Sequence, residues 1–430
     1  LFAAPYAKIT QQLMAVKMHF TGGKPMLAAE NEIATGPELV KLPISVRTSN
    51  SWNELEQFRD DWNRLLRANP ASSIFQTPEW LAAWWQAFGL DRNLLGLVFL
   101  DADHSPVGIA PMYTERLSFF GLPIAMLRMI GAGSGDSDAL DFIVLPGYER
   151  HCAEAFATWL AGNKRWNVCA LETLPENSIV AHHLLQQAHA GRWTLDSTPT
   201  PNFIVDLPPS WKQYLSSLEP SFRPLLTRYP RRLQTRYKVR MERCERTEDL
   251  QGSLDTLFSL HQMRWTGRGE AGAFSSAERR DFYFRVASAF MQRGWLEFWL
   301  LELDSETVGA QFCFRYNDTV SLLQEGFHPK YAAEKIGYAL RAFVLEDLIR
   351  TGARKYDFLG GSDAYKAKFG ARQANYLNLF FAGPSRLGRA YVVLQKQKRR
   401  LKSWLKSKLP ASMIATLRRG AAVQRAAESQ

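Results

Sequence analysis

The stretch "LLQEGFHPKYAAEKIGYALRAFVLEDLIRTGARKYDFLGG", residues 322–361, reads as a strand, a tight turn at His328-Pro329, a long helix entered at Gly337 and Ala339, and a second strand. A strand that feeds a helix N-terminus presents free backbone N–H groups and the positive end of the helix dipole. Such a junction is a site for an anion, and a pyrophosphate fits it. The lysine-rich "YKAKFG", residues 365–370, follows immediately.

Working outward, 430 residues with 46% hydrophobic side chains exceed one ordinary core, so two domains are expected. No run approaches the roughly 18 apolar residues of a membrane span, and the N-terminus lacks the pattern of a signal peptide. Cys152, Cys169, Cys244 and Cys313 have no metal-ligand or Cys-x-x-Cys spacing, which suits a reducing compartment. These features point to a cytoplasmic protein. Of the net charge of +11, residues 386–430 supply all: twelve Lys and Arg against Glu428 leave 41 bases and 41 acids elsewhere. A claim on polyanions therefore belongs to the tail or to local patches.

Residues 1–42 have no sustained period and read as a loosely ordered leader. Domains are expected over 43–208 and 209–384, with a basic amphipathic tail over 385–430. In the first domain "FQTPEWLAAWWQAFG" announces a helix with Thr77 as cap, Pro78 in the first turn and Gly89 at its end. Its Trp80, Trp84 and Phe88 form one face, which suits a core better than a sugar-stacking platform. Strands and helices then alternate, giving a mixed sheet with helices on it. After Pro208-Pro209 the plan restarts. "LLGLVFLDADHSPVGIAPMY" and "WLEFWLLELDSETVGAQFCF" share the pattern strand, acidic turn, Val-Gly, strand, an internal repeat that predicts two copies of one fold.

The segment "GFHPKYAAEKIGYAL" resembles the signature region of the GNAT acyltransferase superfamily. There a strand, a His/Asp-Pro-x-Tyr turn and a Gly-containing helix entrance hold the pyrophosphate of acyl-coenzyme A. The family pattern Gln/Arg-x-x-Gly-x-Gly/Ala falls on Ala332, Lys335 and Gly337, or two residues later on Glu334, Gly337 and Ala339. With "FQTPEWLAAWW", "SDALDF", "LHQMRW" and "YDFLGGSDAYKAKFG", residues 44–383 look like the CelD/BcsL-like acetyltransferases of cellulose and exopolysaccharide biosynthesis, relatives of the FemABX aminoacyl transferases. The resemblance implies an α/β (α+β) protein of two GNAT-like domains in tandem, each a mixed, mostly antiparallel sheet flanked by helices. It implies acetyl-coenzyme A as donor, with no metal. The donor would lie on Leu323 and Gln324 and on Lys335, Ile336, Gly337, Tyr338 and Ala339, while "KYDFLGG" splays away to leave room for the pantetheine arm.

Glu325, at the end of the strand, is a candidate general base for an attacking amine; its alternative is an ion-paired strand residue. Tyr365 stands where GNAT enzymes place the tyrosine that protonates the leaving thiolate. Lys366 and Lys368 resemble the Phe-Lys-x-x-Phe-Gly segment of FemABX transferases, where a lysine neutralises phosphate or oxyanion charge; a solvated lysine pair is the alternative. His261, within "LFSLHQMRW", is either a substrate contact or a packing residue, and His328 reads as a turn histidine. Asp136, Asp138 and Asp141 either bind a substrate amine, sugar hydroxyls or a cation through their oxygens, or form an acidic turn that links strands; without further ligands no metal is expected. Residues 223–246 carry nine Lys and Arg against two Glu and suit either a phosphorylated substrate or a solvated face.

These readings converge on an N- or O-acyltransferase, acetyl-coenzyme A dependent, acting on a saccharide precursor or small amine in envelope or exopolysaccharide assembly. A FemABX-like transferase using aminoacyl-tRNA is the alternative donor chemistry, and a membrane-surface scaffold the non-enzymatic one. The tail places Leu387, Tyr391, Leu394, Leu401 and Leu405 on one side among Lys and Arg, which suits an anionic membrane surface and peripheral residence at the inner membrane. RNA, or the body of the protein, is the alternative partner for this tail.

Overall fold

The structure, a computed structural model, describes residues 43–266, 272–361, 365–383 and 385–408. The expected leader and the tail beyond residue 408 lie outside the described residues. The described residues form one unit, in which a plan of strand, helices, hairpin, strand, helix, strand, helix, strand occurs twice.

The first copy runs β1 (Ser45–Ser49), α1 (Trp52–Glu56), α2 (Arg59–Ala68), α3 (Pro78–Phe88), β2 (Asn93–Leu100), β3 (Pro106–Phe119), β4 (Leu122–Met129), β5 (Ile143–Val144), α4 (Glu149–Gly162), β6 (Val168–Pro175), α5 (Ile179–Gln187) and β7 (Thr194–Asp206). Two helices, α6 (Trp211–Ser217) and α7 (Arg223–Arg236), lead to the second copy. That copy comprises β8 (Val239–Arg243), α8 (Thr247–Thr266), α9 (Ala277–Arg293), β9 (Leu296–Leu303), β10 (Glu306–Tyr316), β11 (Thr319–Phe327), α10 (Ile336–Arg350), β12 (Lys355–Gly360), α11 (Tyr365–Lys368) and β13 (Arg372–Ala382). A last helix, α12 (Arg386–Lys408), follows.

Among the described residues thirteen strands join one mostly antiparallel sheet, in the order β1-β2-β3-β4-β6-β13-β7-β12-β11-β10-β9-β8, with β5 on β3. The expected mixed α/β architecture, a mostly antiparallel sheet flanked by helices, is present, but the two copies share one sheet where a sheet for each was expected. The order also shows an exchange: β13, last of the second copy, pairs with β6 of the first, and β7 pairs with β12 of the second. The exchanged strands pair with each other from Arg372↔Ile204 to Ala382↔Thr194. Each copy's sheet is therefore completed by a strand of the other.

Helix packing ties the copies together as well. The Thr77 hydroxyl accepts from the Trp80 N–H and Pro78 opens α3, as the local sequence dictates. Trp80, fully buried, lies 5.1 Å from Phe282 of α9 and 5.5 Å from Phe314 of β10. The aromatic stripe is thus core, its indole N–H groups satisfied by Ser137 and Ser134. All four cysteines are free and buried. Among the described residues no helix is long and apolar enough to cross a membrane.

Candidate functional site

The site begins with a fault in β11. Its ladder with β10 runs Gln311↔Glu325, Phe312↔Gln324, then Cys313↔Leu322, so Leu323 is an extra residue with no partner opposite. Such a bulge re-aims backbone and side chains and often marks a functional position. On its other edge β11 pairs with β12 only from Thr319↔Lys355 to Ser321↔Asp357. Beyond that point β12 turns through Leu359 at φ 59° and follows β7. The edges of 322–327 and 358–360 therefore diverge at the bulge, as the reading of "KYDFLGG" anticipated.

The helix mouth lies beside this divergence. His328 caps a 3-10 turn over Pro329–Glu334, its ring accepting from the Lys330 N–H at 3.2 Å, the role of a turn histidine. Lys335 then takes the left-handed conformation at φ 55° and opens α10. Helical bonding starts with the Tyr338 N–H to the Lys335 carbonyl at 2.9 Å, so the amides of Ile336 and Gly337 stand ahead of it. A Cβ on Gly337 would meet the Phe327 ring at 3.1 Å, which explains the small residue at the entrance. On the flank, Glu334 is gripped by Arg232 and Arg236 of α7, each at 3.0 Å. The basic stretch is thereby placed against the opening of α10.

Inside the divergence, Arg341 of α10 is buried and pairs with Glu325. The same guanidinium lies 3.4 Å from the Tyr365 hydroxyl and over the Tyr365 and Phe369 rings, at 4.8 and 5.4 Å from their centroids. Gln311 donates to the other Glu325 oxygen at 3.4 Å. Glu325, Tyr365 and the mouth of α10 are thus brought together, with Arg341 as their common neighbour.

Lys366 caps the diverging end of β12. The residue is 4% exposed, and its ammonium donates to the carbonyls of Phe358, Leu359 and Gly360 at 3.1, 3.3 and 3.0 Å. The Gly360 N–H donates to Asp138 and the Leu359 N–H to Asp357, both at 2.8 Å. Burial raises both acids, against the opposing pull of these amides and of Lys366. Asp357, with Asp138 adding its own repulsion, is pushed up to about 7.

On the opposite face of β11, Gly326 lets α8 cross closely: a Cβ there would meet the His261 backbone nitrogen and Leu260 Cβ, each at 2.8 Å. His261 is buried and set edge-on to Phe274 at 4.9 Å, the packing role. Gln324 reaches the Tyr283 phenol, which donates to Asp136 at 3.1 Å, while Arg279 pairs with the same carboxylate at 3.2 Å. A cavity of about 580 Å³ lies nearby, lined by Ser73, Asn202, Ser321, Asp357, Arg372 and Tyr376 among others. Its size is that of a small-molecule site, and it shares Asp357 with the Lys366 cluster.

Not every expected residue gathers here. Asp141 is held by Ser178 and the Phe142 N–H, and burial pushes it up to about 6; it braces the start of α5. Lys368 is exposed, and Ala339 is fully buried in the helix packing. Among the described residues no group of three His, Cys, Asp or Glu is arranged to hold a metal. Sequence reasoning missed Arg341, Asp357 and the Glu334 pairs. Arg341 carried a signal, since it falls four residues from Gly337 and Leu345 on the apolar stripe of its helix.

Residues 220–367 match the family described as Acetyltransferase (GNAT) domain. No curated protein sequence matches the chain. Among solved structures, FemX shares 11% identity, covers 78% of this chain and 96% of its own, and superposes with a TM-score of 0.54. A conserved protein of unknown function from Bacteroides thetaiotaomicron VPI-5482 shares 10% identity over 79% of this chain and 100% of its own, with a TM-score of 0.49. A tandem GNAT protein from the clavulanic acid biosynthesis pathway shares 13% over 79% and 100%, with a TM-score of 0.44. The match to the GNAT domain is thus one of residues 220–367, and the chain shares the fold of FemX; at these identities the likeness to solved structures is one of fold alone.

Proposed function

We propose that the chain is an acyltransferase that takes an acyl group, acetyl in the simplest case, from coenzyme A and delivers it to a saccharide precursor or small amine of the cell envelope or an exopolysaccharide. The observation that carries this reading is the coincidence of the Leu323 bulge, the divergence of β11 from β12 and the mouth of α10 at one place. The amides of Ile336 and Gly337, with Lys335, Tyr338 and Ala339 shaping the helix entrance, hold the diphosphate. Arg232 and Arg236 supply charge from the flank. The backbone at Leu323 and Gln324 polarises the thioester carbonyl.

The Tyr365 hydroxyl, which accepts from Arg341, protonates the departing thiolate. Glu325 accepts the acceptor's proton through the oxygen that Arg341 leaves to Gln311, directly or through a water. Lys366 holds the β12 end in place and offsets negative charge, and the cavity that Asp357 helps to line takes the acceptor, with Asp138 close to that carboxyl. Replacement of Tyr365 by Phe and of Glu325 by Gln is expected to lower kcat about 10²–10⁴-fold for each, with the donor dissociation constant nearly unchanged. Loss of donor binding with unchanged kcat would contradict these roles.

One observation favours a second donor. Helix α7 brings Arg232 and Arg236 beside the α10 mouth and carries Arg228 and Arg231 exposed on the same helix, a surface fit for the polyanionic backbone of an aminoacyl-tRNA. Calorimetry with acetyl-coenzyme A and with charged tRNA separates the two, because binding of tRNA alone removes the thioester.

A further inference from the structure

Helix α12 has two unlike halves. Its first half is seated: Val392 is 1% exposed, Tyr391 packs on Phe119 at 5.3 Å, and Arg399 pairs with the buried carboxylate of Asp196. Past that anchor, Leu401 and Trp404 are each 57% exposed and Leu405 is 40% exposed. At 100° per residue, Leu394, Leu401 and Leu405 stand within about 80° of Tyr391 around the helix. The exposed leucines therefore continue the side that meets Phe119.

Phe119 belongs to the β3–β4 hairpin, where it pairs with Leu122. The tip of that hairpin is apolar and bare, with Phe120 82% and Leu122 54% exposed. Two separate elements, held to each other by the Phe119–Tyr391 contact, thus project large apolar side chains into solvent. Basic groups surround them. Residues 386–408 hold nine Lys and Arg and no acid, and of these Lys398, Arg400 and Lys402 are exposed.

We propose that the β3–β4 tip and the second half of α12 together form a docking surface for an anionic lipid bilayer. Phe120, Leu122, Leu401, Trp404 and Leu405 enter the headgroup–acyl boundary while the lysines and arginines meet lipid phosphates. An RNA strand satisfies less of the surface. Bases could stack on Phe120 and Trp404, but the three leucines offer them nothing, whereas a bilayer interface uses aliphatic and aromatic groups alike. The inference is independent of the acyl-transfer reading.

The test is co-sedimentation of the full chain with vesicles of phosphatidylcholine alone and of phosphatidylcholine mixed with phosphatidylglycerol. Binding is expected to the mixed vesicles, weakening as salt rises. Two double variants, Phe120→Ser with Leu122→Ser and Leu401→Ser with Leu405→Ser, should each weaken it by about tenfold or more. Because all four side chains are exposed, thermal melts should match the parent chain and separate docking from folding. Equal binding to both vesicle types, no binding to the mixed vesicles, or a hairpin variant that binds like the parent would each overturn the proposal. So would retention by tRNA in the absence of any vesicle binding.

Discussion

Arg341 serves Glu325, Tyr365 and the ring of Phe369 at once, so its loss should be felt twice. Arg341→Leu leaves the Glu325 carboxylate buried without its counter-charge and is expected to cost about 3–5 kcal/mol in urea unfolding. Adding Glu325→Leu should return much of that stability without returning activity; a second loss of similar size would deny the pairing. Asp357 makes a different demand. Its folded-state affinity for a proton, about 7, exceeds that of an unfolded aspartate, so the native state binds more protons between about pH 4 and 7. This contribution to stability is full below the unfolded value and is lost as pH rises through 7. Asp357→Asn should therefore gain stability relative to the parent between pH 5 and pH 8, and a difference independent of pH would contradict the assignment. Neither residue stood out in the sequence for a physical reason. A lone charge in a helix stripe also suits a side chain whose head reaches water, and an Asp in "KYDFLG" gives no sign that its neighbours are Lys366, across the following turn, and Asp138, drawn from the first copy.

At the scale of elements, the close crossing of α8 over β11 depends on Gly326. Gly326→Ala places a methyl 2.8 Å from backbone and side chain of α8, and should cost about 1–3 kcal/mol and lower kcat/KM by displacing the bulge. Unchanged kinetics would separate the bulge from the chemistry. The Arg232–Glu334–Arg236 cluster holds an internal anion at the opening of α10. Glu334→Gln removes that competitor and is expected to tighten acetyl-coenzyme A binding about fivefold, equivalent to about 1 kcal/mol; weaker binding would make Glu334 a structural brace instead. The order of elements over 322–361, the start of α3 and the twofold repeat were all legible, because caps, turns and periodicity are local signals. The exchange of β7 and β13 was not, since a strand's own pattern says which face is buried and nothing about which strand lies beside it.

For the molecule as a whole, that exchange means that neither copy closes its sheet alone. A single calorimetric unfolding transition is expected for residues 43–408, and a chain cut near residue 208 should regain its melt only when both pieces are present. Two separate transitions would show the copies to be independent. The central claim concerns what the α10 mouth holds, and isothermal titration of the full chain with acetyl-coenzyme A tests it most directly. The account predicts one molecule bound per chain, with affinity lost in Gly337→Val, whose side chain must displace Phe327 and fill the approach to the Ile336 and Gly337 amides. A folded parent chain that binds no acetyl-coenzyme A, or a Gly337→Val variant that binds it as tightly as the parent, would contradict it.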